Sequence, residues 1–84
     1  MTAERSVGEL FGARVRDLRL KRGLTQVDLA ERLNLPQSRI SEIESGARSP
    51  TLVTILRLSV ALGCMPTDLV MIFNGEDVAS LLQK

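Results

Sequence analysis

Histidine, tryptophan and tyrosine are absent from this chain, and cysteine occurs once, at Cys64. Without histidine, no side chain has an ordinary pKa near neutrality, so acid–base chemistry built on imidazole is excluded. One thiol cannot form an internal disulfide, and one thiol without imidazoles makes no zinc site, so no metal or other cofactor is implied. The aromatics are Phe11 and Phe73 alone, and β-branched residues give way to Leu, Ala, Arg and Glu. Those are helix formers, and an all-α fold is expected. Long apolar runs are missing too. The strongest stretch, residues 58–65, falls far short of the roughly 20 residues a membrane span needs. Residues 1–10 mix charges of both signs and do not read as a secretory signal. A soluble cytoplasmic protein is the expectation.

With these absences set aside, 84 residues of which 44% are hydrophobic suffice for one packed domain, residues 1–84. The formal net charge is only +1, but it is unevenly spread. Arg14, Arg16, Arg19, Lys21 and Arg22 face a single acid, Asp17, whereas after Ser49 the bases Arg57 and Lys84 are outnumbered by Asp68, Glu76 and Asp77. A basic half beside a mildly acidic half suggests either that one face meets an anion or simply a solvated helix surface.

Glycines punctuate five helical segments. Gly23, Gly46, Gly63 and Gly75 each follow a periodic apolar stretch, where a left-handed residue is wanted. The first helix is read over residues 7–22, with Leu10, Phe11, Val15 and Leu18 on one stripe; Gly8 and Gly12 weaken it by roughly 1 kcal/mol each relative to alanine. The second is capped by Thr25 with Asp28 three residues on, turns Leu29, Ala30 and Leu33 inward, and stops at Asn34, a residue that tolerates the left-handed region. The third covers residues 36–45, with Ile40 and Ile43 inward. The fourth follows Ser49-Pro50-Thr51 and is expected to bury Leu52, Ile55, Leu56, Ser59 and Leu62. Pro66 opens the fifth, with Leu69, Ile72 and Phe73 inward. Beyond the core of residues 7–75, the tail of residues 76–84 carries Val78, Leu81 and Leu82 at helical spacing. These either fold back or meet another subunit.

The second helix, the short turn and the third helix form a unit that presents its latter helix to DNA. Ala30 permits close approach, and Leu29, Leu33, Ile40 and Ile43 fix the crossing. The outer surface of the third helix is left to short and amide side chains, which suit a groove about 12 Å wide. Gly23-Leu24-Thr25-Gln26, Asp28-Leu29-Ala30, Gln37-Ser38-Arg39-Ile40-Ser41 and Glu44-Ser45-Gly46-Ala47-Arg48-Ser49-Pro50 together resemble the XRE family, the phage repressor and Cro type of helix-turn-helix. The resemblance extends through Leu62-Gly63. It implies a five-helix lambda-repressor-like domain that binds double-stranded DNA as a symmetric homodimer and regulates transcription. Short chains of this kind resemble restriction–modification controller proteins and small phage or plasmid repressors.

Position by position, the resemblance places Gln26 on a DNA phosphate, the alternative being a second capping residue. It places Gln37 and Ser38 at base-reading positions, against the alternative of a solvated polar pair. Arg39 reaches guanine or a phosphate, or lies along the helix. Ser41 and Glu42 continue that face, and Glu42 can accept from cytosine N4. Ser45, Arg48, Ser49 and Thr51 fall where backbone phosphates are contacted. Arg19 and Glu44 match a buried ion pair and are read as structural. Pro36 departs from the pattern because it offers no side-chain cap; its ring either meets a thymine methyl or presets the start of the helix.

Three function classes remain: a dimeric transcription regulator, an antitoxin-like module that binds protein as well as DNA, and an enzyme. The third is weakest. Cys64 beside an apolar helix end reads as a buried small hydrophobe, and no carboxylate pair has a pocket. No small-molecule ligand is suggested.

Overall fold

Three of the expected stop signals act as read: Gly23, Gly46 and Gly63 have φ of 71°, 81° and 65°, and Asn34 joins them at 54°. The structure, a computed structural model, describes residues 3–82 without the side chain of Arg5. The regular elements among these residues are all helical: α1 (Ala3–Lys21), α2 (Gln26–Leu33), α3 (Gln37–Ser45), α4 (Leu52–Leu62), α5 (Pro66–Val70) and α6 (Gly75–Ala79), with a 3-10 turn at Ser80–Leu82. The five expected helices are present, and the tail adds α6.

Several boundaries differ from expectation. Helix α1 begins at Ala3 because nothing before Val7 breaks it and Glu4 suits the positive end of its dipole. Gly75 is no stop. It opens α6 behind Asn74, whose Oδ1 accepts from the Asp77 N–H at 2.8 Å while the Asn74 N–H donates to Asp77 Oδ2 at 3.0 Å. Helix α5 ends at Val70, so Ile72 and Phe73 lie beyond it, half-buried, with Phe73 packed against the core. Gln83 and Lys84, the end of the expected tail, lie outside the described residues.

Helix α1 crosses α3, α2 packs on α3 and α4, and α5 closes against α1 and α4. The core gathers Phe11, Val15 and Leu18 of α1, Leu29, Ala30 and Leu33 of α2, Ile40 and Ile43 of α3, Leu58, Ala61 and Leu62 of α4, and Leu69 of α5. Leu10, Leu52 and Leu56, expected inside, are exposed. On α4 the reason is geometric. Leu52, Leu56 and Val60 recur every four residues on the side opposite Leu58, Ala61 and Leu62, so the helix is apolar nearly all round and only one side meets the core.

Four arginines fasten these helices through backbone carbonyls. Arg14 Nε donates to Asp68 O at 2.8 Å, Arg22 Nε to Leu62 O at 2.8 Å, and Arg32 to Ala61 O at 2.9 Å. Arg57 donates to Leu33 O. Most of these carbonyls close helices α2 and α4, where unpaired oxygens and the negative dipole end favour a cation.

Candidate nucleic-acid interface

The α2–turn–α3 unit is built from its caps. Thr25 Oγ1 accepts from the Asp28 N–H at 3.0 Å, and Asp28 Oδ2 accepts from the Thr25 N–H at 2.8 Å. Hydrogen bonding from Thr25 to the carboxyl, its backbone N–H foremost and its side chain second, holds Asp28 below its ordinary range. Asn34, left-handed, ends α2 with its N–H on Ala30 O and Glu31 O. Pro36 then precedes α3 at φ −68° and ψ 149° with no side-chain cap. The proline ring presets the chain direction without an oxygen to offer.

Arg19 and Glu44 meet as the resemblance implies. Arg19 Nε donates to Glu44 Oε2 at 2.7 Å and its Nη2 to Oε1 at 3.0 Å, with side chains only 9% and 5% exposed. Arg19 also donates to Leu24 O at 2.8 Å. The hydrogen bond that Arg19 donates to Glu44 raises the Arg19 pKa against the opposing effect of burial. This fork ties α1 to α3. It works because α1 lies directly on the α3 backbone at Gly12: a Cβ there would fall 2.3 Å from Ile43 O and 2.5 Å from Glu44 O. In the sequence Gly12 appeared only as a helix weakener. Its real role, close approach, leaves no local signal.

From the buried pair a chain of amides runs outward. Gln26 Nε2 donates to Glu44 Oε1 at 3.2 Å, and Gln37 Nε2 donates to Gln26 Oε1 at 2.9 Å. The structure thus joins two residues that had been assigned separate tasks. Gln37, Ser38 and Ser41 are exposed on α3, and Arg39 and Glu42 flank them half-buried. Ser45 and Thr51 are occupied within the chain: Ser45 Oγ donates to Glu42 O at 3.1 Å, and Thr51 Oγ1 caps α4 by accepting from the Thr54 N–H at 3.2 Å. Ser49 is exposed between them, and Arg48 pairs with Glu42, Nε to Oε2 at 2.6 Å. That pair spans a turn of six residues and was not legible in the sequence.

Most of the basic run of residues 14–22 is engaged within the chain. Arg14, Arg19 and Arg22 donate inward and Lys21 pairs with Asp17 at 3.1 Å; Arg16 alone among the five has no described partner. The bases on and just after α3 are Arg39 and Arg48.

An apolar cleft of about 100 Å³ behind the α3–α4 loop, lined by Phe11, Pro50, Ile55 and Phe73 among others, holds no ionisable side chain. Cys64 is half-buried, and burial pushes its thiol pKa up, away from nucleophile chemistry.

The Helix-turn-helix family HTH_3 matches residues 15–70, which contain the whole unit described above. The chain is 44% identical over 61 residues to the control protein C.BamHI of Bacillus amyloliquefaciens, covering 71% of this chain and 75% of that one. It is 39% identical over 59 residues to the immunity repressor of Bacillus phage phi105, covering 70% of this chain and 41% of the repressor. Among solved structures it is similar to the restriction-modification controller protein C.AhdI from Aeromonas hydrophila, with a TM-score of 0.71 at 41% identity over 73% of this chain and 92% of that one.

Proposed function

The chain belongs to the HTH_3 helix-turn-helix family of DNA-binding transcription regulators, and from that premise we propose that it acts as a homodimer on a palindromic operator, with one α3 in each of two successive major grooves. The observation that carries this reading is the amide chain from Gln37 through Gln26 to the buried Glu44. It presents a base-reading side chain already oriented, on a helix whose own position is fixed by an ion pair.

In this reading Gln37 uses its remaining amide N–H and its oxygen on an adenine edge. Ser38, Arg39, Ser41, Glu42 and the Pro36 ring meet neighbouring base edges. Gln26, Ser45, Arg48, Ser49 and Thr51 line the phosphates on either side. Such contacts set register and affinity, and the edge contacts set sequence preference.

Dimer formation is supported by apolar side chains that the domain leaves uncovered. Val70 and Met71 at the end of α5, Val78, Leu81 and Leu82 in the tail, and Leu52, Leu56 and Val60 on α4 are all more than two-fifths exposed. The same surface suits an antitoxin-like partnership with a different protein, which would appear as a co-purifying neighbour. Among the described residues no helix is long and apolar enough to cross a membrane. A selection from random duplexes tests the main reading: it should recover an inverted repeat, and a consensus with a single half-site would overturn the dimer.

A further inference from the structure

Helix α3 has one base, Arg39, against two acids, Glu42 and Glu44, so the helix proposed to enter a groove between phosphates is itself net negative. Glu44 is neutralised within the protein by Arg19. Glu42 stands on the outer surface, beside a row of short side chains, Ser38, Ser41 and Ser45. An uncompensated carboxylate there would be repelled by every DNA sequence alike.

Arg48 supplies the compensation, and the backbone brings it back. The Glu42 carbonyl accepts from the Ala47 N–H at 3.0 Å, the Arg48 N–H at 3.3 Å and Ser45 Oγ at 3.1 Å, while Gly46 takes the left-handed turn at φ 81°. The side-chain contact is single, Nε to Oε2. It leaves Glu42 Oε1 and both terminal guanidinium nitrogens of Arg48 without a partner among the described residues, and the two side chains are 41% and 49% exposed. Exposed pairs of this kind add little to folding.

We propose that Glu42 and Arg48 engage DNA as one unit, an inference that rests on α3 being the recognition helix. Arg48 keeps its Nε on Oε2 and turns its terminal nitrogens to a phosphate. The neutralised Glu42 offers Oε1 to an exocyclic amino group in the major groove, cytosine N4 being the donor that suits a carboxylate. Arg48 is thereby what allows an acid to read a base, and a base preference becomes coupled to a backbone contact.

The test compares the wild type, Glu42→Gln, Arg48→Met and the double variant on duplexes that the wild type selects from a random pool, each base pair then changed in turn. Glu42→Gln should bind every duplex at least as tightly and lose roughly tenfold discrimination for the amino-bearing base at one position per half-site. Arg48→Met should weaken every duplex, and by a larger factor with Glu42 present than with Gln in its place. In the double variant the loss should reduce to one phosphate contact per subunit, a fall of about 0.9 per subunit in the slope of log affinity against log salt. Unchanged thermal midpoints in all four proteins keep folding out of the comparison. Equal factors for Arg48→Met in both backgrounds, or base preference untouched by Glu42→Gln, overturn the unit. A selected adenine in place of cytosine retains the unit and reassigns its donor. If the wild type selects no duplex at all, the recognition-helix reading falls, and the unit with it.

Discussion

Arg19 satisfies Glu44 with two nitrogens and the Leu24 carbonyl with a third, all in a place almost closed to water. Removing either member strands a buried charge, so Arg19→Met or Glu44→Gln should each destabilise by about 3–5 kcal/mol in urea unfolding, whereas replacing both by apolar residues should cost much less. A loss below about 1 kcal/mol for the single variants would mean that the pair is not what holds α3. The pair's outer branch changes what is expected of the glutamines. Gln37→Ala should alter base preference, and Gln26→Ala should weaken all sequences and also relax preference at the Gln37 position, because Gln26 Oε1 holds the Gln37 amide. Binding to single-base-pair variants of one duplex separates these effects; a purely uniform loss for Gln26→Ala would mean that the contact does not orient Gln37. Both assignments of the buried pair were legible from the motif. The link between the glutamines was not, since it depends on where two helices cross and residues 11 apart carry no local sign of it.

At the scale of elements, α1 and α3 touch at backbone distance. Gly12→Ala would normally stabilise a helix by about 1 kcal/mol, but here the new methyl meets the Ile43 and Glu44 carbonyls. The net effect should be a loss of up to about 3 kcal/mol with weakened DNA binding, since α3 carries the displacement. A stabilised Gly12→Ala protein would show that α1 and α3 lie further apart. Helix α2 offers a pH test. The folded-state pKa of Asp28 is depressed by its cap bonds, so its contribution is present above the ordinary carboxylate range and is lost as pH falls through the folded value. Asp28→Asn should therefore lose less stability than the wild type when urea midpoints are compared between about pH 5 and about pH 2. Helix starts and stops at Thr25, Asn34, Gly46 and Gly63 were readable because capping is local chemistry. Burial on α4 was not. An apolar stripe on each side of a helix gives no sign of which one faces inward, and Leu52 and Leu56 lie on the outer one.

For the whole molecule, the distribution of charge reverses its first appearance. Arg14, Arg22, Arg32 and Arg57 are turned to backbone carbonyls of other helices and Arg19 to Glu44, beside an α3 that carries one base against two acids. Affinity should still fall steeply with salt, because every proposed phosphate contact releases counterions, whereas in the proposed dimer sequence preference would rest on a few side chains of α3 placed twice by symmetry. The exposed apolar side chains of α4, α5 and the tail are the area proposed for that second copy. A hydroxyl-radical footprint on duplexes selected by the wild-type protein tests this arrangement most directly. It should show two related protected half-sites on one face of the helix, centred about 34 Å apart, one DNA turn. Protection of a single half-site, or of two at a spacing that does not return to the same face, would contradict it.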